Sequence, residues 1–337
     1  MNTPGSPSSR NLTARAGALA AHLGTTAALA AALAACGGAT PASSTPKAGS
    51  IAKGEALIER GDYAAASALF EERIASVPDD PKSHYYLALS RENLGDVETA
   101  ERHYREALAL DPELLEARNN LGLILLDDGD LAGAETELAA FVEARPDEAA
   151  AHYNYGLVLD AMGKADAARE HFELAIELAP NDADPLLGLA DMARAEDRLE
   201  RALELYRRAA AVAPDDPMPR LSEGQTLLDL NRIDEAAEVL ARVADLRDAD
   251  APTITTAGML VARFDQDAQA IELYRAALER DGEYTTALLL LANALARTGE
   301  LELAAERFER FLELAPDAPE AEAARAGLAA CRAKLEQ

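Results

Sequence analysis

The chain has 337 residues and a formal charge of −28, from 60 acidic against 32 basic side chains. A surface of that sign repels phosphodiester backbones and anionic lipid headgroups, so no nucleic acid partner is expected. Two cysteines exclude a disulfide framework, and 4% aromatic residues with no tryptophan point to helices packed through alanine and leucine.

In chain order, the first element is a leader. Residues 1–35 contain no Asp, Glu or Lys, only the arginines Arg10 and Arg15, and then a run from Ala16 to Ala35 that is almost all Ala, Leu, Gly and Thr. That layout is identified as a bacterial export signal. The run is too weakly apolar for a comfortable membrane span, because Ala and Gly contribute little and His22 interrupts it. Leu33, Ala34 and Ala35 before Cys36 resemble the lipobox cut by the lipoprotein signal peptidase. The resemblance implies that Cys36 becomes the new N-terminus and carries a lipid, anchoring the protein in the bacterial cell envelope. Gly37 in place of Asp favours the periplasmic face of the outer membrane. The alternative is an uncleaved alanine-rich helix that happens to end in cysteine. Residues 36–50 then read as the lipidated cysteine and a flexible tether of Gly, Ala, Ser, Thr and Pro with a single charge, Lys47.

From there the chain is one unit copied eight times. Ala66, Ala100, Ala134, Ala168, Ala202, Ala236, Ala270 and Ala304 recur every 34 residues with no insertion. Frames beginning at 47, 81, 115, 149, 183, 217, 251 and 285 place these alanines twentieth. The eighth place is always small, from Gly54 and Ala88 to Gly258 and Ala292, and is expected to face the alanine of its own frame. The fifteenth place holds Gly61, Gly95, Gly129, Gly163 and Gly299, or Asp197, Asn231 and Asp265, which are residues suited to a left-handed cap where a helix ends. Place 24 carries a large knob such as Phe70, Tyr104 or Leu138. Pro78, Pro112, Pro146, Pro180, Pro214 and Pro316 then stop the second helix. Such periodicity means a solenoid without a single core. Residues 319–337 read as a capping helix, with its alanines, Leu328 and Leu335 turned toward the array and Cys331 buried as a small hydrophobe.

These positions resemble the tetratricopeptide repeat family across residues 47–318. The resemblance implies an all-α fold: a right-handed superhelical solenoid of eight helix-turn-helix repeats at 51–318, with a concave groove lined by the first helices. The departures are local: no frame has Trp in its fourth place, Glu223 stands where a core Leu is usual, and Asp248 and Gly282 replace the terminal proline. Frames six and seven are therefore expected to be the loosest.

Family positions carried onto this chain put Tyr85, Tyr86 and Glu92 of frame two, Asn119, Asn120 and Asp127 of frame three, and Tyr153, Asn154 and Asp160 of frame four in the groove. Asn can pair with an extended peptide backbone, and Tyr adds flat contact area with a polar tip. The two-Lys, one-Arg clamp for a terminal carboxylate is missing from these frames.

No phosphate loop, nucleophile elbow or paired-carboxylate motif is present, so no enzyme activity and no cofactor is expected. His84 and His152 share place four, and His103 and His171 place 23, so equivalent residues lie two repeats apart and cannot share one metal ion. They read as packing or surface residues. Asp127, Asp128 and Asp130 lack calcium-loop spacing and read as a polar turn. The expected function is a lipid-anchored scaffold that holds a protein or peptide in its groove at an envelope membrane. Lipoproteins of this layout serve pilus, secretion, outer-membrane or polysaccharide-export assembly. The alternative is a targeting subunit for a peptidoglycan or polysaccharide enzyme.

Overall fold

The structure, a computed structural model, describes residues 49–336. The leader, the lipobox residues Leu33, Ala34 and Ala35, and Cys36 lie outside the described residues. Among those described there are 17 α-helices and no strand, an all-α helical repeat fold. Frames one to four comprise α1 (Gly49–Glu59) and α2 (Tyr63–Ser76), α3 (Pro81–Asn93) and α4 (Val97–Leu110), α5 (Leu115–Asp127) and α6 (Leu131–Ala144), then α7 (Ala149–Ala161) and α8 (Ala165–Leu178). Frames five to eight comprise α9 (Ala183–Ala195) and α10 (Leu199–Val212), α11 (Pro217–Asp229) and α12 (Ile233–Ala241), α13 (Ala251–Ala262) and α14 (Asp267–Arg280), α15 (Thr285–Thr298) and α16 (Leu301–Leu314). The last helix is α17 (Ala321–Leu335). Residue contacts divide the chain into two units that meet inside α8, between His171 and Phe172.

Every fifteenth place adopts the left-handed conformation that its residue type suggests. The five glycines have φ from 74° to 89°, while Asp197, Asn231 and Asp265 reach 59°, 57° and 59°. In every frame but the third, the residue that follows returns a backbone bond across the turn, as Asp62 N does to Leu57 O at 2.8 Å, which satisfies a carbonyl the helix end would otherwise strand.

All eight place-20 alanines have no exposure, and the place-24 knobs are at most 2% exposed. At Gly54, Gly122, Gly224 and Gly258 the side chain that presses closest on the small eighth place is the knob of the same frame. A Cβ on Gly122 would stand 2.5 Å from Leu138 Cγ, and one on Gly258 2.5 Å from Tyr274 Cε1. The knob is thus driven against the backbone of the first helix in its own frame, and the glycine is the space it occupies.

In the second unit, frame six departs from the pattern. Its second helix has nine residues where the other second helices have 14, and it gives way to a 3₁₀ turn at Arg242–Asp245. The turn sends Val243 inward to full burial, and Arg280 of frame seven donates to the carbonyls of Ala244 and Leu246 at 3.3 and 3.0 Å. A recess of about 440 Å³ remains, lined by Ala241, Ala244, Ala268, Leu273 and Ala276. Glu223, in its core place, is 7% exposed and accepts a hydrogen bond from Arg207 Nε at 2.7 Å. The capping helix buries Ala321, Ala324 and Cys331, and it passes so close to Phe308 that a Cβ on Gly327 would stand 2.6 Å from the ring. Leu335, expected against the array, is 42% exposed, because it lies a turn beyond Cys331, the last residue that α17 buries.

Candidate functional site

The first helices of the first unit, α1, α3, α5 and α7, carry the tyrosines, asparagines and carboxylates that the sequence places on one face. On α3 the two tyrosines begin an aromatic row. Phe70 stacks on Tyr86 at 5.3 Å between ring centroids, Tyr86 meets Tyr85 edge-on at 5.0 Å, and Tyr85 leans toward Tyr104 at 6.0 Å.

A chain of hydrogen bonds runs through the same row with one direction. Asn154 Nδ2 donates to Asn119 Oδ1 at 2.7 Å, Asn119 Nδ2 to Asn120 Oδ1 at 3.2 Å, and Asn120 Nδ2 to the Tyr104 hydroxyl at 3.0 Å. Tyr104 then donates to Glu92 Oε2 at 2.6 Å. Separately, the Tyr86 hydroxyl donates to Glu55 Oε1. Each residue in the sixth place, Tyr86, Asn120 and Asn154, therefore sends its donor back to the preceding repeat.

Burial corrects half of the expected groove set. Asn119, Tyr153 and Asn154 are 7%, 1% and 1% exposed, so they do not display themselves to a ligand. Asn119 and Asn154 are bonded to each other across two first helices, as a buried amide must find its hydrogen bonds within the protein. Tyr85, Tyr86 and Asn120 stay half-buried, as does Glu92. Asp127 and Asp160 are exposed at the helix ends. Sequence reasoning did not find Glu55 and Glu116. The signal for Glu55 was its ninth place, one repeat before the donor of Tyr86.

Most of the charge on this face is carboxylate, with Lys82 exposed in the second place of α3. Burial pushes the pKa of the Tyr85 hydroxyl up, and the carboxylates of Glu116 and Glu92 push it further. Burial also lifts the Glu92 carboxyl above its ordinary value, against the hydrogen bond from Tyr104 that lowers it. Burial and Asp128 raise Asp127 in the turn, where Asp130 Oδ1 caps α6 by accepting from Gly133 N at 3.1 Å.

The histidines pair within frames. His84 Nδ1 lies 3.0 Å from His103 Nδ1, and His152 Nδ1 2.9 Å from His171 Nδ1. The other nitrogens of His84 and His152 sit 2.9 Å from the carbonyls of Pro78 and Pro146. Only a protonated Nε2 can serve a carbonyl, so His84 and His152 accept at Nδ1, and His103 and His171 donate. Each dyad clips the two helices of its frame at the place where a Trp would otherwise pack. Among the described residues no three His, Cys, Asp or Glu side chains converge as a metal site.

A chain of helix pairs repeating every 34 residues, with a polar and aromatic face on the first helices, is a helical-repeat interaction protein. Two family models, both described as tetratricopeptide repeat, match it. One covers residues 51–114, 87–149, 119–183 and 265–319, the other 161–217 and 193–254. The chain belongs to the tetratricopeptide repeat family. No curated protein matches it in sequence. Among solved structures it is similar to yeast Tom70, at 20% identity and a TM-score of 0.61 over 87% of this chain and 66% of that one, so it spans just under two thirds of that relative. It is also similar to pilF of Pseudomonas aeruginosa, at 22% identity and a TM-score of 0.53 over 64% of this chain and 95% of that one. A human IFIT1 dimer with PPP-AAAA matches at 18% identity and a TM-score of 0.53, over 80% and 73%. At these identities the likeness is one of fold.

Proposed function

We propose that this protein is a lipid-anchored scaffold that recruits or stabilises a protein partner at a bacterial envelope membrane, and that it performs no catalytic step of its own. Tetratricopeptide repeats support protein–protein interaction, which is the general part of this reading. The observation that carries it is the half-buried pair Tyr85 and Tyr86, held at fixed spacing by the aromatic row and by the hydrogen-bonded chain from Asn154 to Glu92. Rigid aromatic anchors of this kind contribute contact area at a small loss of side-chain freedom. The anchor rests on Leu33, Ala34, Ala35 and Cys36, and the assembly setting (pilus, secretion, outer membrane or polysaccharide export) rests on the likeness of that layout to envelope lipoproteins.

Two experiments test it. Cys36→Ser is expected to turn a membrane-partitioning protein into a soluble or uncleaved one, because the acyl chains that hold it are then absent. Processing and membrane retention equal to the parent refute the anchor. Tyr85→Ala with Tyr86→Ala is expected to reduce capture of the partner from crosslinked cells while helicity by circular dichroism is unchanged. Undiminished capture moves the binding surface elsewhere.

A further inference from the structure

Along the first-helix face of frames one to four, hydrogen-bonding capacity is divided unevenly. The Tyr86 and Tyr104 hydroxyls and the amides of Asn119, Asn120 and Asn154 each already donate to an acceptor within the row. The acceptors are in surplus. Asn154 Oδ1 is buried and accepts nothing. Glu55 and Glu92 have tyrosine hydroxyls as partners and no cation within 4.0 Å, while Glu116 has Arg145 only at 3.9 Å.

Elsewhere in the same unit, half-buried carboxylates are matched by arginine. Arg73 meets Asp80 at 2.8 Å and Arg118 meets Glu137 at 2.8 Å. A carboxylate withdrawn from water without a counter-charge is costly, and a ligand that brings the charge recovers that cost. The unmatched carboxylates also flank aromatic rings, which attract cations through their faces.

We infer that the face formed by α3 and α5 takes the cationic side chain of a lysine or arginine from an extended basic segment of a protein partner, seated on Tyr85 between Glu92 and Glu116. This rests on the scaffold reading above and names the partner's chemistry. Tyr86 with Glu55, on the frame-one side, provides a second acidic and aromatic position for a neighbouring cation. An acidic or C-terminal carboxylate ligand meets three carboxylates here, two of them with no cation within 4.0 Å, and is rejected. The chain's overall charge of −28 steers such a segment toward the array but does not choose the place; the tyrosines and the missing arginines do.

The test uses the full chain and a fluorescein-labelled peptide of alternating serine and lysine, with its lysine-acetylated twin, read by anisotropy at roughly physiological salt. Glu92→Gln, Glu116→Gln and Tyr85→Leu are each expected to raise Kd by about 3- to 10-fold. Gln can still accept from Tyr104, and Glu116 is exposed, so these two variants keep the fold. Glu143→Gln changes the charge equally on the exposed second helix α6 and is expected to alter Kd by less than about 2-fold. The acetylated peptide is expected not to bind. An equal loss in Glu143→Gln, no loss in the three site variants, or equal binding of the acetylated peptide overturns the inference. The scaffold reading fails separately, if the parent protein captures no protein from crosslinked cells.

Discussion

Gly122 gives the sharpest test of how each frame is packed. In Gly122→Ala the new methyl would stand 2.5 Å from Leu138 Cγ, 2.9 Å from Cδ2 and 3.2 Å from Cδ1, where carbon atoms ordinarily rest about 3.5–4 Å apart. Leu138 has no exposure and cannot swing into solvent, and the buried Ala134 and Phe141 on the same helix hold α6 in place. Two effects oppose each other. Replacing a helical glycine by alanine favours the helix by about 1 kcal/mol, while overpacking a tight contact costs about 1–3 kcal/mol. The expected balance is a loss of about 1–2 kcal/mol. Ala88, Ala190 and Ala292 show that the eighth place accepts a methyl where the frame is built around one, so the strain belongs to this frame and its leucine.

Leu138→Ala alone should cost about 2–5 kcal/mol, and it opens room for the methyl. The double variant is therefore expected to be less destabilised than the sum of the singles by about 1–2 kcal/mol. Guanidinium unfolding followed by circular dichroism measures all four corners of the cycle. Stabilisation by Gly122→Ala, or an additive double variant, would refute the contact between places 8 and 24.

Three further outcomes follow from the structure. Arg207→Ala, which strands the buried Glu223 carboxylate, should cost about 1–3 kcal/mol in denaturant unfolding, whereas Glu223→Leu should be near neutral or stabilising; the reverse order would show that the pair does not carry that charge. His103 and His171 bind protons less readily than the ordinary 6.5, first through burial and then through the partner histidine, so the unfolded chain takes up protons that the folded one refuses; stability is full above about pH 6.5 and falls as the pH drops below it. The double variant His103→Gln, His171→Gln should flatten that fall in thermal unfolding between about pH 5 and 7, and an unchanged slope would dismiss the dyads as its source. Amide exchange should be faster in residues 245–265 than in 115–180, because the shortened α12, the 3₁₀ turn and the adjoining recess leave frames six and seven with less neighbouring support; equal protection would reject the weakness.

What the sequence makes legible is whatever a position settles within its own frame. The left-handed turn needs only Gly, Asn or Asp in place 15, and all eight turns were readable, Asp197, Asn231 and Asp265 included. Burial of the place-20 alanines follows from the period alone. The knob and the alanine lie four residues apart on one face of α2, α4 and their equivalents, and the period does not say that the knob presses closest on the backbone at place 8. Frame six shows the same limit. The lost proline at 248 marks a weak end, but not the stop at Ala241 or the 3₁₀ turn in which Val243 is buried.

Across frames, legibility fails for a physical reason that also shapes the site. Places 4 and 23 are both histidine in frames two and four, and only the register between the two helices of a frame turns that coincidence into a dyad. Place six points to the preceding repeat, so whether Asn154 or Tyr86 serves a ligand depends on what stands one frame earlier: Asn119 in one case, Glu55 in the other. Because each buried donor must find its acceptor in a neighbour, the repeats consume donors as they stack. A carboxylate satisfied by one tyrosine hydroxyl still has lone pairs and a charge to offer, whereas an asparagine amide aimed at its neighbour is held inward. The chemistry left on the face is thus the residue of internal satisfaction, and here that residue is acidic and aromatic.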